Sequence, residues 1–463
     1  MKAGPTSFIA MASVRPPAVA GTFYPVDPRT LAAEIDDLMG GVEQLEPRLG
    51  FPKALIVPHA GYIYSGPVAA RAYDDIAPAR GIVKRVVLLG PVHRVAVRGL
   101  ALPAAEFFDT PLGRIPLDQD AIRDLAGLPQ VLRSAPAHAM EHSLEVQLPF
   151  LQKALGEFAL VPLAVGTASV EEVAAVLERL WGGPETLIVI STDMSHYHPY
   201  DEARKIDAAT IARISGLASN INHEEACGAT PLNGFLKVVK DRKLSIKLLA
   251  ACNSGDTAGG KGEVVGYSSF GLYEGNAISL DEAGRTLLAI ARSSIEDSLS
   301  GNEENALPKA PWLDQAGATF ITLTRNGALR GCIGTLEAGR PLGIDVAENA
   351  LGAAFRDPRF SPMTAEEWPQ CSVEVSLLGA AKPIRFAGEA DLLSQISAGE
   401  DGLILECDGR HATFLPQVWE GLSDKKLFLL ELIKKAGLPA DTRLTRCKIS
   451  RYHVAKWKET EKA

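Results

Sequence analysis

Four apolar runs among the first 251 residues each lead into residues that can bind a metal or carry a proton. His59 follows KALIVP (53–58) and His93 follows KRVVLLGP (84–91). Asp193 and His196 follow TLIVIST (186–192), and Cys252 follows SIKLLAA (245–251). Neutral imidazole is the commonest protein ligand for borderline metals, and a thiolate adds charge and softness. Two histidines and one cysteine leave positions open on a first-row metal, the property that separates a catalytic site from a closed structural one. Such a metal would hold Cys252 deprotonated, so binding would release a proton and weaken at low pH. His196 is then a candidate general base, and Asp193 a candidate orienting partner for an imidazole. Plainer readings stand beside these. A histidine at a strand end can be a hydrogen-bonded structural residue, Cys252 an inert thiol and Asp193 a helix cap.

The neighbouring text suits the same chemistry. HAGYIYSG (59–66) sets small residues and two tyrosines directly after His59, which makes Tyr62 and Tyr64 candidate substrate contacts. EHSLEVQLPF (141–150) opens a helix with Glu141 and His142. A helix N-terminus favours the carboxylate and lowers the pKa of a nearby histidine. Glu141 is therefore a third candidate substrate contact. His142 joins Asp193 and His196 as a candidate catalytic group.

The elements that must position these residues alternate in α/β fashion. The four runs, with VVGYSSFGL (264–272), are short, apolar and bounded by Gly, Pro, Asp or Ser, the signature of buried strands. Between them SLEVQLPFLQKAL (143–155), SVEEVAAVLERLW (169–181) and DEARKIDAATIARISGLAS (201–219) read as helices, the second opening with a capping box. This predicts an α/β fold, a mostly parallel open sheet with helices on both faces, over residues 11–273. Ligands in such sheets sit beyond the carboxyl ends of the strands, where the candidate residues fall. A second region, 279–457, opens with the amphipathic helix SLDEAGRTLLAIARSSIEDSL (279–299) after a short junction at 274–279. Strand-like ATFITLTR (318–325), CSVEVSLLG (371–379), GLILEC (402–407) and TRLTRCKISRYHVAKW (442–457) follow, with a helix at 423–438. It reads as an α+β domain with an antiparallel sheet.

Composition narrows the class. With 463 residues, 46% hydrophobic and 22% charged, the chain is a soluble multi-domain protein in type. A net charge of −9 without a basic cluster argues against nucleic-acid binding. No apolar stretch is long enough for a membrane span, and the start carries no secretory signal, so the cytoplasm is the expected compartment. Six scattered cysteines without a CxxC pair do not read as a disulfide framework.

Several segments carry a family resemblance. GTFYP (21–25), VPHAGYIYSG (57–66), LLGPVHR (88–94), EHSLEVQLPF (141–150), STDMSHY (191–197) and ACNSGD (251–256) resemble, in order, the motifs of the Memo family. That family is similar in fold to class III extradiol dioxygenases of the LigB type. The resemblance implies that His59, His93 and Cys252 bind the metal, that Asp193 and His196 are the neighbouring pair, and that His196 stands where the dioxygenases keep their base. The dioxygenases use a carboxylate where this chain has Cys252, so ring opening does not carry over automatically. LRGCIG (329–334), DPRF (357–360), SVEVSLLG (372–379) and TFLPQV (413–418) resemble the AMMECR-one family. Arg330, Cys332, Asp357, Arg359 and Glu374 are its polar candidates. LRGCIG reads either as a glycine-rich turn with a buried cysteine or as a nucleophilic Cys332 activated by Arg330. The combination resembles components of the AmmeMemoRadiSam system, which implies a radical-SAM protein as partner.

Three functions follow as expectations. The favoured one is a non-haem redox enzyme acting on a small-molecule substrate, dioxygenase-like, with Fe(II) as cofactor or copper in its place. A Zn-dependent hydrolase is the second, and a non-catalytic ligand- or peptide-binding module the third.

Overall fold

Short apolar runs rich in Val, Ile and Leu, too brief for a helix of three turns, bury most cheaply as strands covered on both sides. In the computed structural model, which describes residues 13–42, 47–274, 278–301 and 306–459, they do so. Residues 11 and 12 of the expected first domain, and part of the expected junction at 274–279, lie outside the described residues. The chain divides into two units. One contains 13–42 and 51–274, and the other contains 47–50 and the described residues from 278 onward.

The first unit is built on a nine-stranded sheet: β1 Ala54–Val57, β2 Arg85–Pro91, β3 Leu100–Leu102, β4 Val131–Arg133, β5 Ala159–Val165, β6 Thr186–Ser191, β7 His196–His198, β8 Ser245–Asn253 and β9 Val264–Tyr273. Their order is β7-β9-β1-β6-β2-β5-β3-β4, with β8 also paired to β9. The centre, β1-β6-β2-β5, is parallel and its residues are almost all buried. β9 runs antiparallel to β1, and β3 antiparallel to β5. Helices α1 Pro28–Gly40, α2 Tyr62–Asp75, α3 Leu148–Leu155, α4 Val170–Leu180, α5 Tyr200–Ser215 and α6 Ala229–Arg242 flank it. The expected capping box is present at α4, where Ser169 and Glu172 bond reciprocally to each other's backbone N–H.

β8 departs from expectation. SIKLLAA was expected to be a buried strand, yet most of β8 is exposed or half-buried. It bonds only to β9, so it forms a rim of the sheet rather than its core.

One buried histidine of this unit is structural and gives it a pH response. His138 is 2% exposed, its Nε2 lies 2.8 Å from the Ala101 carbonyl, and its Nδ1 has no partner among the described residues. Burial pushes its pKa down to about 4. Between that value and the unfolded value near 6.5 the unfolded chain binds the extra proton, so stability falls as pH drops through this window. Two pKa units and a half correspond to about 3 kcal/mol. Denaturant unfolding of His138→Gln should therefore show a shallower loss of stability from pH 6.5 to 4 than the wild type. Parallel pH profiles would refute it.

The second unit begins with α7 Leu280–Ser300, capped by Ser279, and carries two four-stranded antiparallel sheets where one was expected. The first is β11 Ala328–Gly334, β10 Thr319–Arg325, β12 Cys371–Leu378 and β17 Val454–Lys458. The second is β13 Lys382–Pro383, β16 Lys448–Tyr452, β14 Gly402–Cys407 and β15 Arg410–Phe414. Each has its own apolar cluster. The expected strand region 442–457 splits at His453 and feeds both sheets. Cysteine pairing also departs from expectation: Cys407 and Cys447 form a disulfide, because the register Glu406↔Lys448 brings two residues 40 apart in sequence side by side.

Candidate metal centre

His59 lies two residues beyond β1, past the Pro58 that ends the strand, and His93 two beyond β2. The segment carrying Glu141, His142 and Ser143 crosses the end of β2 at Gly90. A Cβ at Gly90 would stand 2.8 Å from Ser143 Oγ and 3.0 Å from Leu144, so glycine there permits the close approach. The crossing brings His142 to the two strand-end histidines. One ring nitrogen from each of His59, His93 and His142 lies within 4.8 Å of the others.

Hydrogen bonds fix which nitrogens are free. Ser191 Oγ donates to the Ser143 carbonyl, so toward His59 Nδ1, 2.8 Å away, it can only accept. His59 therefore carries its proton on Nδ1 and presents the Nε2 lone pair. His93 Nδ1 lies 2.8 Å from Glu141 Oε1, and a carboxylate only accepts, so His93 also presents Nε2. Burial by itself would raise the Glu141 carboxyl. The His93 ring and the backbone N–H groups of Ser143 and His93 overcome it and bring the pKa down to about 2. Burial first, then the neighbouring imidazoles, holds His59 well below its ordinary pKa, and burial lowers His142 too. Neutral imidazoles with oriented lone pairs and carboxylate or hydroxyl partners behind them form a donor set that fits a first-row metal.

A cavity of about 460 Å³ opens over the three rings. Asp193 and His196 line it. Asp193 is 4% exposed, accepts the His59 backbone N–H at 2.6 Å, and has its carboxyl pKa raised by burial. Cys227, which sequence reasoning missed, also lines the cavity, with Sγ 3.4 Å from His59 Nε2. It arrives through a second close approach: a Cβ at Gly228 would lie 2.7 Å from the Ser191 carbonyl oxygen and from Thr192. His223, read from sequence as structural, lines the cavity as well.

Other candidates are placed differently. Cys252 sits in β8 opposite Tyr267 of β9, outside the histidine group and the cavity lining. Burial raises its thiol pKa to about 11. Tyr62 is 1% exposed with its hydroxyl donated to the Val146 carbonyl at 2.8 Å, so it is a core residue. Tyr64 is exposed and does not line the histidine cavity. Glu141 is spent on orienting His93 and does not line the cavity.

In the second unit, Cys332, Asp357 and Arg359 meet. Asp357 accepts the Cys332 backbone N–H at 2.8 Å and the Arg359 guanidinium at 2.7 and 2.9 Å, which holds its carboxyl well below the usual range. Thr322 Oγ1 donates to Cys332 Sγ at 3.4 Å, and Glu374 is Thr322's register partner on β12, paired to Lys456 at 3.1 Å. In the nucleophile reading of LRGCIG, Arg330 would activate Cys332. It is instead bound to Glu367 and the Ser361 carbonyl, and Arg359 is the guanidinium against Cys332.

A family model described as Memo-like protein matches residues 15–271. The chain belongs to the Memo family. A second model, AMMECR1, matches residues 288–457. A MEMO1 family protein of Aquifex aeolicus is 39% identical over 274 residues, covering 55% of this chain and 97% of that protein. One of Ignicoccus hospitalis is 37% identical over 281 residues, covering 55% and 97%. Among solved structures, an uncharacterized protein, PH0010, of Pyrococcus horikoshii is 35% identical with a TM-score of 0.37, covering 39% of this chain and 93% of that one. JW3007 of Escherichia coli K12 is 17% identical with a TM-score of 0.33, covering 48% and 99%. No helix among the described residues is long and apolar enough to cross a membrane.

Proposed function

We propose that the first unit of this Memo-family chain is a mononuclear metal enzyme that carries out redox chemistry on a small molecule, with iron(II) as its working metal. The observation that carries the reading is the convergence of three imidazoles, two of which donate Nδ1–H to a hydrogen-bond partner and so keep Nε2 unprotonated. Bound iron(II), or copper in its place, would supply one-electron chemistry at positions the three imidazoles leave open. His196, which lines the cavity, would hold or move a proton over it, and Asp193 accepts the His59 backbone N–H. The proposal extends to a cytoplasmic protein working with a radical-SAM partner, on the strength of the two-family combination.

A zinc hydrolase is the second reading, favoured by the all-imidazole donor set, which also suits zinc and a metal-activated water. Elemental analysis of protein purified without oxygen decides between them. The expected result is one iron or copper per chain with oxygen-sensitive colour or paramagnetism. Stoichiometric, spectroscopically silent zinc would favour the hydrolase, and a metal-free protein would overturn both.

A further inference from the structure

The histidine cavity adjoins a second one of about 480 Å³. His93, Arg94, His223 and Cys227 line both, so these four form the neck between two lobes. Beyond the neck the second lobe is walled largely by Val92, Val95, Val97, Val165 and Pro231. Its size and the valine and proline side chains in its wall suit the body of a small organic molecule.

The neck has one strong electrostatic feature. The Arg94 guanidinium has no hydrogen bond or ion pair among the described residues, and Arg94 lines both lobes. Arginine cannot shed its charge, and its planar fork matches a carboxylate in bidentate fashion. The other neck residues do not compete for an anion. His223 donates Nδ1–H to the Cys227 carbonyl at 3.1 Å, and its Nε2 accepts from Thr230 at 3.2 Å. Glu224 lines the first lobe but not the second.

We propose that the site takes an amphipathic carboxylate: its anionic head pairs with Arg94 at the neck, facing the histidines, and its apolar body fills the second lobe. This rests on the first unit being a small-molecule site and names the substrate class. It does not depend on which metal the histidines hold.

The test is isothermal titration of the full chain with 4-phenylbutyrate and with its neutral isostere 4-phenylbutyramide. The wild type should bind the acid about tenfold or more tightly than the amide, as a charge-assisted pair exceeds a neutral one. Arg94→Gln should bring the acid to the level of the amide and leave the amide unchanged. Ala96→Trp, in the exposed loop lining only the second lobe, should weaken both. Failure to bind either compound, equal binding by the wild type, a preference that survives Arg94→Gln, or unaltered binding by Ala96→Trp would each overturn the proposal. Metal content measured on the same samples keeps the two ideas apart. A metal-free protein that prefers the acid through Arg94 rejects the metal reading alone, and a metal-loaded protein without that preference rejects this one alone.

Discussion

Replacing His142 by alanine is expected to weaken metal binding more than about 100-fold, matching His59→Ala and His93→Ala, whereas Cys252→Ser retains it. Loss of a group that merely orients a ligand costs ten- to a hundredfold, and loss of the ligand itself costs more. Glu141→Gln therefore belongs in between, because the amide still contacts His93 but no longer enforces its Nδ1–H tautomer. The comparison of His142→Ala with Cys252→Ser separates two donor sets. Family resemblance implies His59, His93 and Cys252, while the folded chain gathers His59, His93 and His142 and keeps Cys252 on the rim strand β8. Metal analysis after equilibrium dialysis reads the result directly. Retention in His142→Ala with loss in Cys252→Ser would mean that the end of β8 closes on the metal. Cys227→Ser should keep the metal but alter its spectrum, since Sγ lies 3.4 Å from His59 Nε2.

The strand ends were readable because the physics that sets them is local. Val, Ile and Leu between prolines and glycines place β1, β2 and β6 within a residue or two, and the residues just past them are delivered to one edge by parallel pairing. The order of strands is not local. Cys252 ends an apolar run just as His59 follows one, but β8 lies beyond β9 while β1 lies at the centre. Cys227 was invisible for the converse reason. It stands in an aperiodic polar loop and is carried to Asp193 by a glycine contact across more than thirty residues. Tyr62 and Tyr64 differ through helix geometry: two residues apart, about 200° around α2, one points to the core and the other to solvent. In the second unit, the same limit hid both the splitting of 442–457 between two sheets and the pairing of Cys407 with Cys447.

The largest stability effect is expected at Glu145, close behind the histidine site. Its side chain is fully buried and bonds to the Arg15 guanidinium, to the backbone N–H groups of Ala18 and Val19 at 2.8 and 3.0 Å, and to the Tyr24 hydroxyl at 2.5 Å. Arg15 is 5% exposed and also donates to the carbonyls of His138 and Glu141 at 3.0 and 2.7 Å. One ion pair thus fastens residues 15–24 to the segment that carries Glu141 and His142. Glu145→Gln keeps the shape but leaves the Arg15 charge buried and uncompensated, at a cost of about 3–5 kcal/mol. That is a large share of the stability of an ordinary domain. The double variant Arg15→Leu, Glu145→Leu removes both charges, so it should be less destabilised than either single variant, the non-additivity expected of a coupled pair. Denaturant unfolding of Glu145→Gln, Arg15→Leu, Glu145→Leu and the double variant measures this. A Glu145→Gln change within about 1 kcal/mol of the wild type, the usual value of an exposed pair, would show that water reaches Arg15 and that the site's support lies elsewhere.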